Sequence, residues 1–456
     1  MPKNRNVNML NGPLFKNIIL YTVPIILTSL LQLLFNAADL IVVGRFCGSV
    51  SVAAVGATTS LIHLLVNFFI GLSIGAGVTA AMSIGASDTK ATQRIVHTAL
   101  PTAILSGIIL TVLGLVFSEK ILMLMSTPEN VLPLSAIYMK IYFAGVTGVM
   151  VYNFCAAILR AAGDTKSPLV FLTISGFVNV ILNLIFVVFL HMDVAGVALA
   201  TTISQILSAF LVLLALMKRK DACRLNLKKM KIYKEPFLKI LRIGVPAGIQ
   251  SSLFSISNVM IQSSINSFGE VVVSGSAAAA NIEGFVFVIM NSFHQTALNF
   301  IGQNEGIKNY KRIARIYRTC IICVFVAGLI FGIPCRIFGK NLLSIYITDS
   351  PEAITQGIVR LTFICLSYCL AGIMDVTTGS IRGMGVSLTP MIITVMGVCV
   401  MRIVWIYTFF QIPQFHTPES LYLSYPISWT LTFLCQMIAF WIIYQKRTAK
   451  AKTRLS

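Results

Sequence analysis

The sequence is poor in charge, and poorest in negative charge. Only 11% of the 456 residues are charged, and Asp and Glu together number 15. Water-soluble domains carry about 25% charged residues, so this composition excludes an ordinary soluble fold. The sequence also lacks a phosphate-binding glycine loop, a paired-carboxylate motif and a metal-binding motif, which argues against an enzyme and against a pump driven by nucleotide hydrolysis. The ten cysteines show no disulfide pattern and are expected to act as small hydrophobic residues.

The chain instead contains many long hydrophobic segments. Hydrophobic residues make up 57% of it, in runs long enough to cross a bilayer, which is typical of a polytopic membrane protein. The first run is too long for a signal peptide and lacks a small-residue cleavage site, so we expect it to be retained as a span. Hydrophobic windows predict twelve spans, at residues 15–43, 52–84, 92–117, 132–157, 167–190, 194–217, 237–266, 271–302, 313–335, 353–380, 388–411 and 420–444.

Lys and Arg are distributed unevenly between the predicted loops. With both termini in the cytoplasm, and with residues towards the ends of spans counted on the adjoining side, 28 of the 35 lie on the cytoplasmic side and five on the outer side. Arg360 and Arg402 are counted as lying within spans. Because positive charge is enriched on the cytoplasmic face, we predict a multi-pass membrane protein with both termini cytoplasmic. This asymmetry accounts for the net charge of +20, so no nucleic-acid partner is required. The basic segment 218–242 is expected to rest against anionic membrane lipids.

The two halves of the sequence repeat each other. ILRAAGDTKSPL (158–169) and SIRGMGVSLTPM (380–391) share an Arg, a Gly and a Pro, each pair 222 residues apart, and Val23–Pro24 and Asn36 recur at the same offset. The predicted organisation is an N-terminal six-helix lobe at 1–217, a basic cytoplasmic linker at 218–236, a C-terminal six-helix lobe at 237–445 and a basic cytoplasmic tail at 446–456.

Six spans per repeat give both halves the same orientation in the membrane. The pseudo-twofold axis that relates them then runs along the membrane normal, as in transporters that rock two bundles around a central cavity. The predicted fold class is therefore an all-α polytopic membrane protein, with twelve transmembrane helices in two six-helix lobes.

Motifs in both halves resemble those of the multidrug and toxic compound extrusion (MATE) transporters. The resemblance covers residues 12–445. It is carried, in order along the chain, by VPIILTSLLQLLFNAADLIVVGR, LRAAGDTKSP, VAGVALATTISQ, FIGQNEG and SIRGMG. It implies a V-shaped fold of two six-helix lobes. It also implies export of organic, often cationic and hydrophobic compounds in exchange for Na⁺ or H⁺.

Three acidic residues fall within predicted spans: Asp39, Glu283 and Asp375. A charge there costs at least about 2.5 kcal/mol, so each needs a reason. Counting about 1.5 Å per residue, Asp39 in span 1 lies about 6 Å from the outer boundary and Asn183 in span 5 about 10 Å. Asn179 is one turn away from Asn183 on the same helical face. We predict that Asp39 and the two amides bind a proton or a hard cation. The alternative is that Asp39 reaches the headgroups or balances an arginine six residues later.

The resemblance adds residues to this site. In many bacterial members a carboxylate at the Asp39 position, residues matching Asn179 and Thr202, and an Asp at the position of Asn183 surround the coupling ion. Asn183 departs from that pattern by removing one of two carboxylates. This departure weakens the case for a full sodium site. Two possibilities stay open: Na⁺ bound by Asp39, Asn179 and Asn183, or a proton cycle at Asp39. Pro24 fits either a hinge in span 1 or a static kink.

The other candidates belong to the C-terminal half. We assign Glu283, Asp375, Arg402 and His294 to a substrate cavity. Glu283, near the membrane midplane, either meets cationic substrate or is locked to Arg402 or Arg360. Asp375 either serves transport or pairs near Arg382 at the inner surface, and His294 is either a proton relay or a residue satisfied by hydrogen bonding.

The sequence thus predicts a secondary-active multidrug antiporter that works by alternating access. It would use Na⁺ or H⁺ as coupling ion, need no cofactor and act as a monomer on small organic substrates. One alternative is a flippase for lipid-linked oligosaccharides, which would prefer cationic residues in its cavity. The other is an integral membrane transferase, which would need clustered acids for Mg²⁺ or a His–Asp motif.

Overall fold

The computed structural model describes residues 6–125, 127–348 and 350–453, without the side chain of Ser60. The outermost residues of both predicted tails lie outside these ranges. Within them the chain is helical and has no β-strand. The helices are α1 (Leu14–Phe46), α2 (Ser49–Gly85), α3 (Thr89–Leu124), α4 (Leu132–Ala161), α5 (Lys166–Asn183), α6 (Asp193–Lys218), α7 (Lys234–Asn266), α8 (Glu270–Gly306), α9 (Tyr310–Ile337), α10 (Gly339–Leu343), α11 (Pro351–Cys365), α12 (Tyr368–Gly383), α13 (Leu388–Thr394), α14 (Met401–Tyr407) and α15 (Pro418–Thr453). π-helical turns at Leu184–Phe189 and Val395–Val400 extend α5 and join α13 to α14.

The long helices match the predicted membrane spans. Among the described residues, ten are long and apolar enough to cross a bilayer, or eleven if α11 and α12, which meet at 41°, form one span. The twelfth long helix, α7, is not in that set because its sequence carries charged residues in its first turns and Ser and Gln in its middle. The prediction of an all-α, multi-span membrane protein is confirmed.

The described chain divides into two compact units whose boundaries cut across two helices. The first unit holds Val23–Ser252 together with the described residues before Met9, and the second holds Met9–Thr22 and the chain from Leu253 onward. The N-terminal part of α1 therefore belongs to the second unit, and the N-terminal part of α7 to the first. The change of unit in α1 occurs next to a helix-internal proline, Pro24, and the change in α7 occurs almost two turns after Pro246. The predicted halves, 1–217 and 237–445, refer to the sequence repeat and stay a prediction.

Hydrogen bonds explain why the beginning of α1 belongs to the second unit. Asn304 Nδ2, from the FIGQNEG segment, donates to the carbonyl of Met9 at 3.1 Å. Arg312 Nε donates to the same carbonyl at 3.3 Å. Further along, the hydroxyls of Thr22 and Thr296 are 2.8 Å apart. The motif at the end of α8 thus anchors the start of the first span.

The repeat is visible in the backbone. Gly163 follows α4 with φ +90° and Gly385 follows α12 with φ +78°, and both belong to the repeated segments. L side chains rarely adopt such angles, so glycine is required at both positions. At Gly163 a Cβ would also lie 2.6 Å from the carbonyl oxygen of Val7.

The linker between α6 and α7 is tied to α3. His97 Nε2 accepts a hydrogen bond from the backbone N–H of Asn226 at 3.1 Å, while its Nδ1 donates to the carbonyl of Gln93 at 2.6 Å. Burial opposes ionisation of the Asp221 carboxyl, but hydrogen bonds and the charge of Arg219 outweigh it and hold the pKa of Asp221 below its usual value. The basic linker is therefore an ordered segment.

In the first unit, α2 and α7 cross at four glycines. A Cβ on Gly71 would lie 2.3 Å from the backbone nitrogen of Gly248, and one on Gly248 would lie 2.2 Å from the carbonyl oxygen of Phe68. One turn away, a Cβ on Gly75 would meet the carbonyl oxygen of Ile240 at 2.3 Å, and Gly244 faces α2 at a similarly short distance. Small residues allow such close backbone approach, which stabilises helix pairs in membranes through van der Waals packing.

Replacing Gly248 with alanine is expected to destabilise the protein by about 1–3 kcal/mol, because the added methyl group overlaps the α2 backbone. The matched control is Gly56→Ala in α2, where a Cβ has no neighbour within 4 Å. There alanine is expected to be neutral or to stabilise by about 0.5–1 kcal/mol, since it favours the helix. Thermal unfolding of the detergent-purified variants measures both changes, and equal midpoints would contradict the crossing.

Candidate functional site

Asp39 of α1 lies in a cluster of neutral polar side chains from α5 and α6. Asn183 Nδ2 donates a hydrogen bond to Asp39 Oδ1, and Thr201 Oγ1 donates to Asp39 Oδ2 at 3.3 Å. Asn179 completes the cluster: its Nδ2 donates to Thr201 Oγ1 and its Oδ1 accepts from Asn183 Nδ2, each at 3.4 Å. The structure therefore brings together Asp39 and both asparagines of the predicted site.

The local sequence explains this convergence. Asn179 and Asn183 are one turn apart and share a face of α5, and Gly176 lies one turn earlier. A Cβ on Gly176 would lie 1.8 Å from the ring of Phe35, so this glycine allows α1 to approach α5. After Asn183 the helix continues as a π-helical turn, a feature that is frequent at functional sites.

The threonine of the cluster is Thr201 and not Thr202. Thr202 Oγ1 donates to the carbonyl of Ile141 in α4 at 3.3 Å. The Thr202 methyl group packs against Gly145 of α4, where an added Cβ would lie 2.2 Å from it. Consecutive residues of an α-helix point about 100° apart, since 3.6 residues complete a turn. The family resemblance gave this role to Thr202, whereas in the structure it is Thr201 that contacts Asp39.

The cluster contains one formal charge and one unsatisfied acceptor. Within the described residues no Lys, Arg or His forms an ion pair with Asp39, so the alternative of a partnership with Arg45 is not supported. Asn183 is completely buried, and its Oδ1 has no hydrogen-bond partner in the described chain. Such a site can accept either a proton or a hard cation with oxygen ligands.

Glu283 of α8 is held by an arginine. Arg360 Nε and Nη2 each donate to one carboxylate oxygen of Glu283 at 2.9 Å, and Nη1 donates to Ser276 Oγ at 2.7 Å. The guanidinium also lies over the ring of Tyr422, 5.7 Å from its centroid. Of the two alternatives for Glu283, the structure shows pairing with Arg360 and not a free carboxylate.

Asp375 and His294 meet each other away from this pair. His294 Nδ1 donates to the backbone carbonyl of Asp375 at 2.7 Å, which satisfies the buried imidazole. A Cβ on Gly379 would lie 2.5 Å from the carbonyl oxygen of His294, so α8 and α12 are in close contact here. The charged neighbour of the Asp375 carboxylate is Arg382, as in the structural alternative.

Arg402 of α14 is surrounded by aromatic rings. Its guanidinium stacks on Tyr425, 3.9 Å from the ring centroid, and Trp429 and Phe254 lie at 5.6 and 5.8 Å. Its Nε donates to Ser428 Oγ at 3.1 Å. Arg402 is therefore not the partner of Glu283.

Four contact residues escaped the prediction. Thr201 was missed because the family resemblance pointed to the adjacent threonine, Thr202. Ser276 could have been found, because it lies seven residues before Glu283 and thus two turns away on the same face. Tyr425 and Ser428 lie on one face of α15 together with Trp429, and they were not singled out from the sequence.

The described chain is helical, its sequence is repeated, and Asp39 has no cationic partner among the described residues. This combination is typical of a membrane transporter. The MatE family model matches it twice, over residues 24–185 and 246–408. The two matches begin 222 residues apart, the offset of the sequence repeat. The chain belongs to the MatE family of multidrug efflux transporters, whose members are transporters and not enzymes.

Individual relatives agree with this assignment. The chain is 29% identical over 392 residues to the probable multidrug resistance protein YoeA of Bacillus subtilis, with 84% of each chain covered. It is 23% identical over 445 residues to the multidrug export protein MepA of Staphylococcus aureus, with 96% of this chain and 95% of that protein covered. A solved structure of a multidrug resistance MATE transporter in an outward-facing conformation matches with a TM-score of 0.91 at 21% identity. It covers 98% of this chain and 100% of its own, and it shows the fold alone.

Glu283→Gln and Arg360→Met are each expected to destabilise the protein by about 3–5 kcal/mol, because either change leaves one buried charge without its partner. The double variant is expected to recover most of this loss. The matched control is the exposed pair Lys140–Glu119, whose side chains are about half exposed. Breaking that pair should cost about 0–1 kcal/mol. Thermal unfolding of the single and double variants measures the coupling, and additive losses at Glu283 and Arg360 would refute it.

Proposed function

We propose that this transporter exports organic, cationic and hydrophobic compounds in exchange for Na⁺ or H⁺, and that Asp39 is the residue at which the ion is exchanged. The observation that carries the proposal is the environment of Asp39. Its carboxylate contacts only neutral donors, Asn183 and Thr201, beside the buried and unpartnered Oδ1 of Asn183.

A charge in a membrane span is expensive unless something neutralises it. Glu283 is neutralised by Arg360 within the chain, whereas Asp39 has no cationic partner in the described residues. Asp39 is therefore suited to a positive charge that arrives from outside the chain. The coupling ion and a cationic substrate would compete for it, which is the basis of antiport.

Two ions fit the cluster, in different ways. A proton on Asp39 would make the carboxyl neutral, and rotation of the Asn183 amide would then let its Oδ1 accept the new O–H donor. Na⁺ would instead take oxygens from Asp39, Asn179, Asn183 and Thr201. Asn183 supplies an oxygen ligand but no second charge.

Pro24 supports a conformational role for α1. Proline cannot donate to the carbonyl one turn earlier, so the helix is weakened there. The helix changes from one unit to the other next to this residue. We propose that Pro24 is the hinge by which α1 responds to the occupancy of Asp39, in alternating access between the two faces of the membrane.

Purified protein in liposomes is expected to export a cationic dye when a gradient of the coupling ion is imposed. A Na⁺ gradient at equal pH and a pH gradient without Na⁺ are tested separately, and one of them should drive transport. Asp39→Asn is expected to lower gradient-driven export about tenfold or more, because the amide cannot exchange a proton or neutralise Na⁺. Glu119→Gln, on an exposed carboxylate, is the control that should retain export.

Normal gradient-driven export by folded Asp39→Asn protein would overturn the role of Asp39. Failure of the wild-type protein under both gradients would overturn ion-coupled export itself.

Thr201→Val and Thr202→Val form a matched pair one residue apart. Thr201→Val removes a hydroxyl that donates to Asp39, so it is expected to change the ion dependence of export, seen as a shift in the Na⁺ or H⁺ concentration for half-maximal rate. Thr202→Val removes only a bond to the backbone of α4 and should leave that concentration unchanged. Equal effects, or a larger effect at Thr202, would contradict the cluster.

A further inference from the structure

The second unit contains a buried positive charge that its described residues do not balance. Arg402 is 1% exposed, and arginine stays protonated in proteins. Both Nη1 and Nη2 are buried without a hydrogen-bond acceptor in the described chain. No described carboxylate forms an ion pair with this guanidinium, and the carboxylate of Glu283 is already paired with Arg360. A charge in such a place is costly until a partner arrives.

The rest of the guanidinium is held in place. One face stacks on Tyr425, and Nε donates to Ser428, whose own hydroxyl donates to the carbonyl of Tyr425 at 2.9 Å. Trp429 and Phe254 close the surroundings. The only edge left for a partner is the one that carries Nη1 and Nη2, and two parallel N–H groups on one edge suit a carboxylate or a single halide.

Arg360 provides an internal comparison. It too lies over a tyrosine of α15, Tyr422, and donates to a serine, Ser276, but its remaining donors bind the carboxylate of Glu283. Tyr422 and Tyr425 are three residues apart on the same face of α15. The two arginines thus have the same kind of setting, and only one of them has its anion.

We propose that Arg402 is the core of a binding site for a small monovalent anion, a halide or a carboxylate. The anion has two sources: an inorganic anion that resides in the unit, or the carboxylate of a zwitterionic transport substrate. The first source is independent of the proposed function, whereas the second rests on it. Under this proposal the protein binds anions as well as cations, with Asp39 as the residue for cations and Arg402 as the residue for anions.

Bromide quenching of Trp429 fluorescence tests the site directly. The chain has three tryptophans, so Trp405→Phe and Trp441→Phe leave Trp429 as the reporter, 5.6 Å from Arg402. Bromide is titrated at constant ionic strength against methanesulfonate. Saturable quenching is expected with Arg402, and only linear collisional quenching with Arg402→Gln. Arg402→Lys keeps the charge but loses the two-donor edge, so its quenching should saturate at higher bromide concentration.

Arg318→Gln is the control, because it removes an arginine that lies over a different ring, that of Trp441 at 5.8 Å, and not over the reporter Trp429. It should retain saturable quenching in the same reporter background. Linear quenching in the presence of Arg402, or saturable quenching that persists in Arg402→Gln, would overturn the proposal.

A substrate pair distinguishes the two sources. If a substrate carboxylate is the occupant, a zwitterionic substrate displaces bromide while its methyl ester does not, and Arg402→Gln lowers the ratio of zwitterion export to ester export about tenfold. If an inorganic anion is resident, both compounds leave bromide bound. Quenching requires no transport, so loss of ion-coupled export would not affect it, and the two proposals fail separately.

Discussion

A charge inside the membrane-spanning part of this protein has to be stabilised there, and the described residues do so in three ways. Glu283 is neutralised by Arg360 within the chain. Asp39 receives only neutral hydrogen-bond donors, and Arg402 receives aromatic faces and one hydroxyl. Only the first arrangement is complete in itself. The other two leave a charge that is stabilised in part, which is the condition under which an ion from outside can bind and leave again, since full compensation would remove the driving force for exchange.

Close helix contacts decide which side chains can meet in this way. A glycine on α5 lets the ring of Phe35 approach, and this brings Asp39 of α1 within reach of Asn183. On α12, Gly379 lies against the backbone of His294 and fixes the contact that satisfies the imidazole. In lipid the helices gain little from burying apolar surface against each other, so tight packing at small residues is what holds such polar contacts in register. The polar sites are therefore consequences of the glycine pattern as much as of the polar residues themselves.

The sequence was informative about position along a helix and uninformative about rotation around it. Depth counting placed Asp39 within about one helical turn of Asn183 in span 5. The repeat offset of 222 residues reappeared in the family matches and in the backbone angles at Gly163 and Gly385. Depth alone could not separate Thr201 from Thr202, because neighbours on a helix share a depth but not a direction. Nor could it choose between Arg360 and Arg402 for Glu283, since that choice depends on contacts between helices that are distant in the sequence. Apart from the prolines inside α1 and α7, nothing in the sequence indicated that each of these helices belongs partly to one unit and partly to the other.

The helix that carries Asp39 also joins the two units. Its first residues, Leu14–Thr22, are bound within the second unit through Thr22, while the part that bears Asp39 is bound within the first. Pro24 lies next to the change of unit, where the chain has one fewer backbone hydrogen bond to lose. A change of charge at Asp39 alters the hydrogen bonds that hold α1 to α5 and α6, and α1 is continuous with the segment held by the other unit. Under the proposed function, ion binding at Asp39 and bending of α1 at Pro24 would therefore depend on the same set of contacts. A ligand shifts such an equilibrium only by as much as it favours one arrangement over the other.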